Sequence, residues 1–235
     1  MSKNKFIAYE NVFDESTLRT LFKLSNQGYL EELSSPLSIG KESNVFTALH
    51  GDETRIVKIY RTAAGFKKMY EYMKPDPRFA SLKGTKLSII YEWAMKEYRN
   101  LLRAREKGVN SPIPYAVHKN VLVMEYFDAE ELIDDPPKEP KVFYEKLIKE
   151  VKKLFDAGLV HADLSEYNIL NDDEEPVLID FSHAVDLRYP NVQRLLRRDI
   201  NILVNFFNKL GLELDEETEF KRIWIKKTSK SRKKE

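Results

Sequence analysis

The 235-residue sequence contains no cysteine, which excludes disulfides, thiolate-bound zinc and cysteine nucleophiles. No apolar stretch approaches the roughly 20 residues needed to cross a bilayer, and the start, M-S-K-N-K-F-I-A-Y-E-N, lacks the apolar core of a secretory signal. A soluble, cytoplasmic protein with no membrane partner is the expectation. Internal repeats are missing as well. Net charge is nearly absent, at +1, but the balance hides a split. Residues 221–235 carry eight basic residues and one acidic, so the remainder is net acidic. With 42% hydrophobic residues, the chain can bury one core or two lobes of about 100 residues each.

Along the chain, Asp14 or Ser16 can cap a short helix that runs to about Asn26 and ends at Gly28. Strand patterns follow over about Leu30–Leu37, Asn44–Leu49 and Thr54–Tyr60, the last two joined by a turn at His50-Gly51-Asp52. A polar connector, residues 62–84, is too long to be a plain loop, so it is functional, mobile or partly helical. Apolar residues three and four apart predict a helix from Leu87 to about Lys107, stopped by Gly108, with Pro112 and Pro114 forbidding its continuation. Val121–Phe127 reads as a buried strand. Beyond it the spacing predicts a helix over about Val142–Ala157, and a long one to Gly211 with Pro190 in its first turn.

Chemistry is concentrated between His161 and Asp180. Asp163 is followed five residues later by Asn168, and Asp180 ends a short apolar run. This is the spacing of a kinase-type catalytic loop, where the first aspartate orients the attacking oxygen while the asparagine and later aspartate hold magnesium against phosphates. Asp163 and Asn168 could each cap a turn, but their joint spacing with Asp180 argues against capping alone. The element order agrees with that reading. It predicts an α+β, two-lobed protein-kinase-like fold: a short N-terminal helix, an antiparallel sheet N-lobe with one main helix, and a mostly helical C-lobe. Expected boundaries are 1–127, 128–225 and a basic tail, 226–235.

Other kinase parts can be sought in turn. Lys58, on a strand in V-K-I-Y, is placed to contact phosphates, with Glu97 or Glu92 on the following helix as its partner. The phosphate loop is short of glycine. S-I-G-K-E-S-N-V-F at residues 38–46 has Gly40 alone, where backbone can approach phosphates, with Ser38 and Ser43 as hydroxyl donors, Lys41 as a cation and Val45 beyond them. Adenine is expected against Glu125, Tyr126 and Phe127, with Met124 behind. His161 reads as a brace of the loop, and Asp199, on the last long helix, as a brace of its backbone or a surface charge. Also missing are the arginine of H-R-D, replaced by Ala162, the glycine of D-F-G, replaced by Ser182, and any A-P-E motif.

S-I-G-K-E-S-N-V-F resembles the S-T-G-K-E-A-N-V-F motif of the RIO family of atypical protein kinases, and L-V-H-A-D-L-S-E-Y-N-I-L at residues 159–170 is similar to its catalytic loop. F-K-K-M-Y-E-Y at 66–72, D-P-R-F at 76–79 and K-E-Y-R-N at 96–100 resemble its type-one branch, so the likeness spans about residues 18–211. K-E-Y-R-N favours Glu97 over Glu92. The resemblance implies a serine/threonine kinase or ATPase using ATP and magnesium, with manganese as a substitute. Its implied setting is maturation of the small ribosomal subunit, with the pre-subunit particle and its rRNA as partners and autophosphorylation as a further reaction. It also implies an aspartyl phosphate at Asp180 as an alternative to direct transfer.

Two other classes compete. One is a small-molecule phosphotransferase of the aminoglycoside or choline kinase type, which shares H-x-D-x-x-x-x-N and a later I-D-F. The other is an idle RNA-binding scaffold, suggested by the basic tail, which can track a phosphate backbone or simply be solvated. Joint presence of Lys58, Asp163, Asn168 and Asp180 speaks against pure scaffolding.

Overall fold

A computed structural model describes residues 13–63, 65–82 and 84–224. The basic run 226–235 lies outside them. Helix α1 (Glu15–Asn26) is capped by Asp14, whose carboxylate accepts the Thr17 N–H at 2.9 Å. Strands β1 (Glu32–Ile39), β2 (Ser43–His50), β3 (Glu53–Tyr60), β4 (Pro114–His118) and β5 (Val121–Glu125) form an antiparallel sheet in the order β1-β2-β3-β5-β4. Opposed residues Val45, Lys58 and Leu122 share one face because side chains alternate along a strand. On the other face, Phe46, Val57 and Val123 pack with Leu21 and Leu24 of α1. Asn120 fastens α1 to the sheet, its amide donating to Thr17 Oγ1 and the Tyr60 carbonyl, both at 2.9 Å.

In this half the connector takes the partly helical form among the readings given for it, whereas β4 is an element the sequence reading did not include. The connector folds into α2 (Phe66–Met73) and a 3-10 turn at Pro77–Phe79, with Met69, Met73 and Phe79 buried against Ile90 and Trp93 of α3 (Lys86–Glu106). Pro114, a stop signal for the helix, also opens β4. Proline is tolerated there because β4 is an edge strand.

The other half is built on α4 (Pro140–Asp156) and α5 (Val192–Lys209), whose Phe143, Tyr144, Phe206 and Phe207 rings meet in its core. The α5 helix begins later than expected. Asn191, in the left-handed region at φ 57°, precedes Val192, so Pro190 lies before the first turn. Short strands β6 (Glu130–Glu131), β8 (Ile169–Asp172) and β9 (Glu175–Leu178) form one ladder, and β7 (Leu159–Val160) pairs with β10 (Val185–Asp186). Helix α6 (Glu216–Ile223) is the last element among the described residues, with Trp224 packed on Phe155 and Phe220. No described helix is long and apolar enough to cross a membrane.

Candidate active site

The β7–β10 ladder joins the two segments that carry the chemistry. Pairing of Val160 with Val185 aligns the loop that begins at His161 with the stretch that follows Asp180. Helix α5 supports the loop from beneath. Asp199, buried, accepts the N–H of Ala162 at 2.7 Å and of Leu164 at 3.3 Å, and Arg198 donates to the Ala162 carbonyl. Ala162 sits at φ 63°, a left-handed conformation that disfavours side chains, so these bonds hold a strained residue. Burial pushes the Asp199 carboxyl up to about 7, against the pull of the Ala162 N–H and Arg198.

His161 is buried, its Nε2–H donating to the Ile179 carbonyl at 2.9 Å, and burial lowers its pKa to about 4. It is a neutral brace. Asp163 is half exposed, with Arg198 Nη2 at 3.6 Å and His183 Nδ1 at 3.8 Å from its oxygens. Asn168 donates from Nδ2 to the Asp163 carbonyl at 2.7 Å, which leaves its Oδ1 as an acceptor.

Lys58 lies between two carboxylates. Its Nζ is 3.0 Å from Glu97 Oε1 and 2.8 Å from Asp180 Oδ1. Burial opposes its charge, but Asp180 and Glu97 outweigh burial and raise its pKa. Asp180, at φ 57°, accepts the Ser182 hydroxyl at 2.6 Å on the same oxygen. Although burial works against its charge, Lys58 and Ser182 pull its pKa down. Glu92 instead faces Arg99 at 3.7 Å. Tyr60, two residues beyond Lys58 and on the same face, donates its hydroxyl to Glu97 Oε2. Its role was not legible from a strand tyrosine.

Gly40 is in the β1–β2 turn, its N–H donating to the Ser43 carbonyl at 2.9 Å. A Cβ on Gly40 would fall 2.9 Å from that same oxygen, so only glycine fits without a shift. Ser38 and Lys41 are exposed, while Ser43 and Val45 are half-buried on β2. Met124 is on the Lys58 face, opposite Ile56. Glu125 gives its N–H to the Ile113 carbonyl at 2.9 Å, so that group is spent, and the half-buried Tyr126 and Phe127 lie just past the end of β5.

The motifs D-P-R-F and K-E-Y-R-N meet here too. Buried Asp76 holds Arg78, which donates to Asn100 Oδ1 at 2.6 Å, and Lys96 reaches the Ser182 carbonyl. Burial, with Arg78 nearby, lowers the Lys96 pKa to about 7.

Among the described residues no cluster of three or more His, Asp or Glu could hold a metal. Asn168 and Asp180 nevertheless offer two hard oxygens. This suits magnesium, which takes few protein ligands and completes its shell with phosphate and water. The arrangement pairs a buried lysine held between two carboxylates, two metal-compatible oxygens and a separate exposed carboxylate.

A RIO domain model matches residues 44–221. The RIO-type serine/threonine-protein kinase Rio1 of Haloferax volcanii is 40% identical over 219 residues, covering 90% of this chain and 76% of the relative. Its namesake from Methanocaldococcus jannaschii is 42% identical over 220 residues, with 90% and 75% covered. Among solved structures, the Rio2 kinase–ADP/Mg2+–phosphoaspartate complex from Chaetomium thermophilum superposes with a TM-score of 0.69 at 23% identity, covering 88% of this chain and 66% of that one.

Proposed function

The chain belongs to the RIO family of serine/threonine kinases, and from that premise we propose that it transfers the γ-phosphoryl group of ATP, with magnesium, to a serine or threonine hydroxyl. The observation that carries the reading is Lys58 bridging Glu97 and Asp180 at 3.0 and 2.8 Å, with Asp163 and Asn168 on the adjoining loop.

Lys58 grips the α and β phosphates and Glu97 orients it, itself steadied by Tyr60. Asn168 Oδ1 and Asp180 would hold magnesium, which when bound neutralises charge on the phosphates. Asp163 orients the incoming hydroxyl and accepts its proton. The Gly40 turn, with Ser38, Lys41 and Ser43, covers the phosphates, while Val45 and Met124 enclose adenine. With the Glu125 N–H spent on Ile113, the Phe127 backbone is the adenine donor. We assign the target to a precursor of the small ribosomal subunit, on the motif resemblance and the basic run 226–235.

The test is turnover of radiolabelled ATP by wild type and Asp163→Ala, with and without small-subunit particles. Wild type should turn over, faster with particles, and Asp163→Ala should lose about 10²–10⁴-fold. Equal turnover by the variant would overturn the role of Asp163, and label released on a small molecule would indicate the phosphotransferase class.

A covalent route through Asp180 is the second reading, favoured by the phosphoaspartate in the Chaetomium thermophilum Rio2 complex. Asp180 Oδ1 is engaged by Lys58 and Ser182, which leaves Oδ2 to attack the γ-phosphorus as ADP departs. Hydroxylamine would strip label from an acyl phosphate and leave phosphoserine intact.

A further inference from the structure

Downstream of Asp180, residues Phe181, Ser182 and Ala184 are buried and His183 is half-buried, so their carbonyls need donors from the protein. Each of the four carbonyls accepts from a side chain of α2, the 3-10 turn or α3, and Phe181 also accepts the Ala184 N–H at 3.2 Å. Asn100 Nδ2 serves Phe181 and Ala184, both at 2.9 Å. Lys96 Nζ serves Ser182 at 2.5 Å, and the Tyr72 hydroxyl serves His183 at 2.7 Å. Arg78 Nη2 adds a second bond to Ala184 at 3.3 Å.

These donors are themselves fixed in orientation. Arg78 Nη1 donates to Asn100 Oδ1, which forces the amide nitrogen toward the two carbonyls. Asp76 holds Arg78 through Nε and Nη2. The Lys96 ammonium lies over the rings of Trp93 and Tyr72, 5.0 and 5.4 Å from their centroids. Tyr189 also fastens α2 at Tyr72, donating to the Tyr72 carbonyl at 3.0 Å with the two ring centroids 5.7 Å apart.

We propose that Tyr72, Arg78, Lys96 and Asn100 are positioning residues, which hold Asp180 against Lys58 by engaging four successive carbonyls of the segment after it. The inference rests on the role of Asp180 given above. Asp180 is in a left-handed conformation and cannot swing away without withdrawing Phe181 and Ser182 from Asn100 and Lys96. Ala162 leaves the loop without the arginine that in other kinases answers a phosphorylated activation segment. The connector and α3 supply the restraint here directly, so the connector is part of the site and not a spacer.

Three variants test the clasp: Tyr72→Phe, Lys96→Met and Asn100→Ala. Tyr72→Phe removes one hydroxyl and keeps the ring against Trp93, so it tests the idea in a folded protein even if the others unfold. In Tyr72→Phe, the magnesium concentration for half-maximal turnover should rise about tenfold with the KM for ATP changed far less, as expected for one unmade buried hydrogen bond. Backbone amide exchange in residues 178–186 of the nucleotide-free protein should quicken by about the same factor, while α4 and α5 keep wild-type rates. Unchanged exchange, or faster exchange with unchanged magnesium dependence, would overturn the proposal. If wild type turns over no ATP, the proposed reaction fails, and the exchange comparison alone then decides whether the clasp holds the segment.

Discussion

His161 stands two residues before Asp163, yet its imidazole is closed off from the cleft, with Nε2 committed to Ile179 and Nδ1 buried without a described partner. Above pH of about 6.5 it is neutral folded or unfolded. Between about 6.5 and 4 the unfolded chain takes up a proton that the native one refuses, so stability falls as pH drops through that window, by about 3 kcal/mol. His161→Gln, which keeps an N–H donor and does not titrate, should flatten the dependence in urea denaturation at pH 7, 6 and 5. Asp199→Ala would orphan the N–H groups of Ala162 and Leu164 and release the left-handed Ala162. It should cost about 3 kcal/mol in thermal unfolding and lower turnover as well, whereas wild-type values for both would refute the bracing role. Asp163, Asn168 and Asp180 could be found by spacing because one short stretch contains them. Tyr60, Arg78, Lys96 and Asn100 could not be given tasks that way, since the bonds that tie them to Glu97, to one another and to the segment after Asp180 span 22 to 106 residues.

Amphipathic period made the long helices visible: α1, α3 and α4 begin and end within about two residues of their sequence-read bounds, the usual uncertainty at helix ends. Elements were missed where local signals conflict. Pro114 reads as a breaker although it starts an edge strand, and β6, β7 and β10 have two residues each, too few to show alternation. The E-E-T-E-F-K-R-I run of α6 straddles the change from acidic to basic composition, which disguised a helix capped by Asp215. What binds these elements is apolar. Phe207 of α5 is fully buried and meets Phe143, Tyr144 and Phe206, so Phe207→Ala should destabilise by about 3–5 kcal/mol in urea unfolding. Because α5 also carries Asp199, turnover should fall before the fold is lost on warming.

At the scale of the molecule, a five-stranded sheet and a helical half meet at a site whose described restraints come from the chain's own residues, and Ala162 stands where an arginine would answer a phosphorylated activation segment. Protein made without contact with any other kinase should therefore turn over ATP at its full rate, and obligatory pretreatment with an activating kinase would contradict this. The two tryptophans belong to different core clusters, Trp224 at the end of α6 and Trp93 on α3. Trp93 is buried, its indole N–H has no described hydrogen-bond partner, and it lies 5.2 Å from the His183 ring and 5.0 Å below the Lys96 ammonium. Imidazole and ammonium groups this close can quench an excited indole. With Trp224→Phe to remove the second fluorophore, the native protein would carry its own optical gauge, dim while the segment after Asp180 is seated and brighter when it lifts.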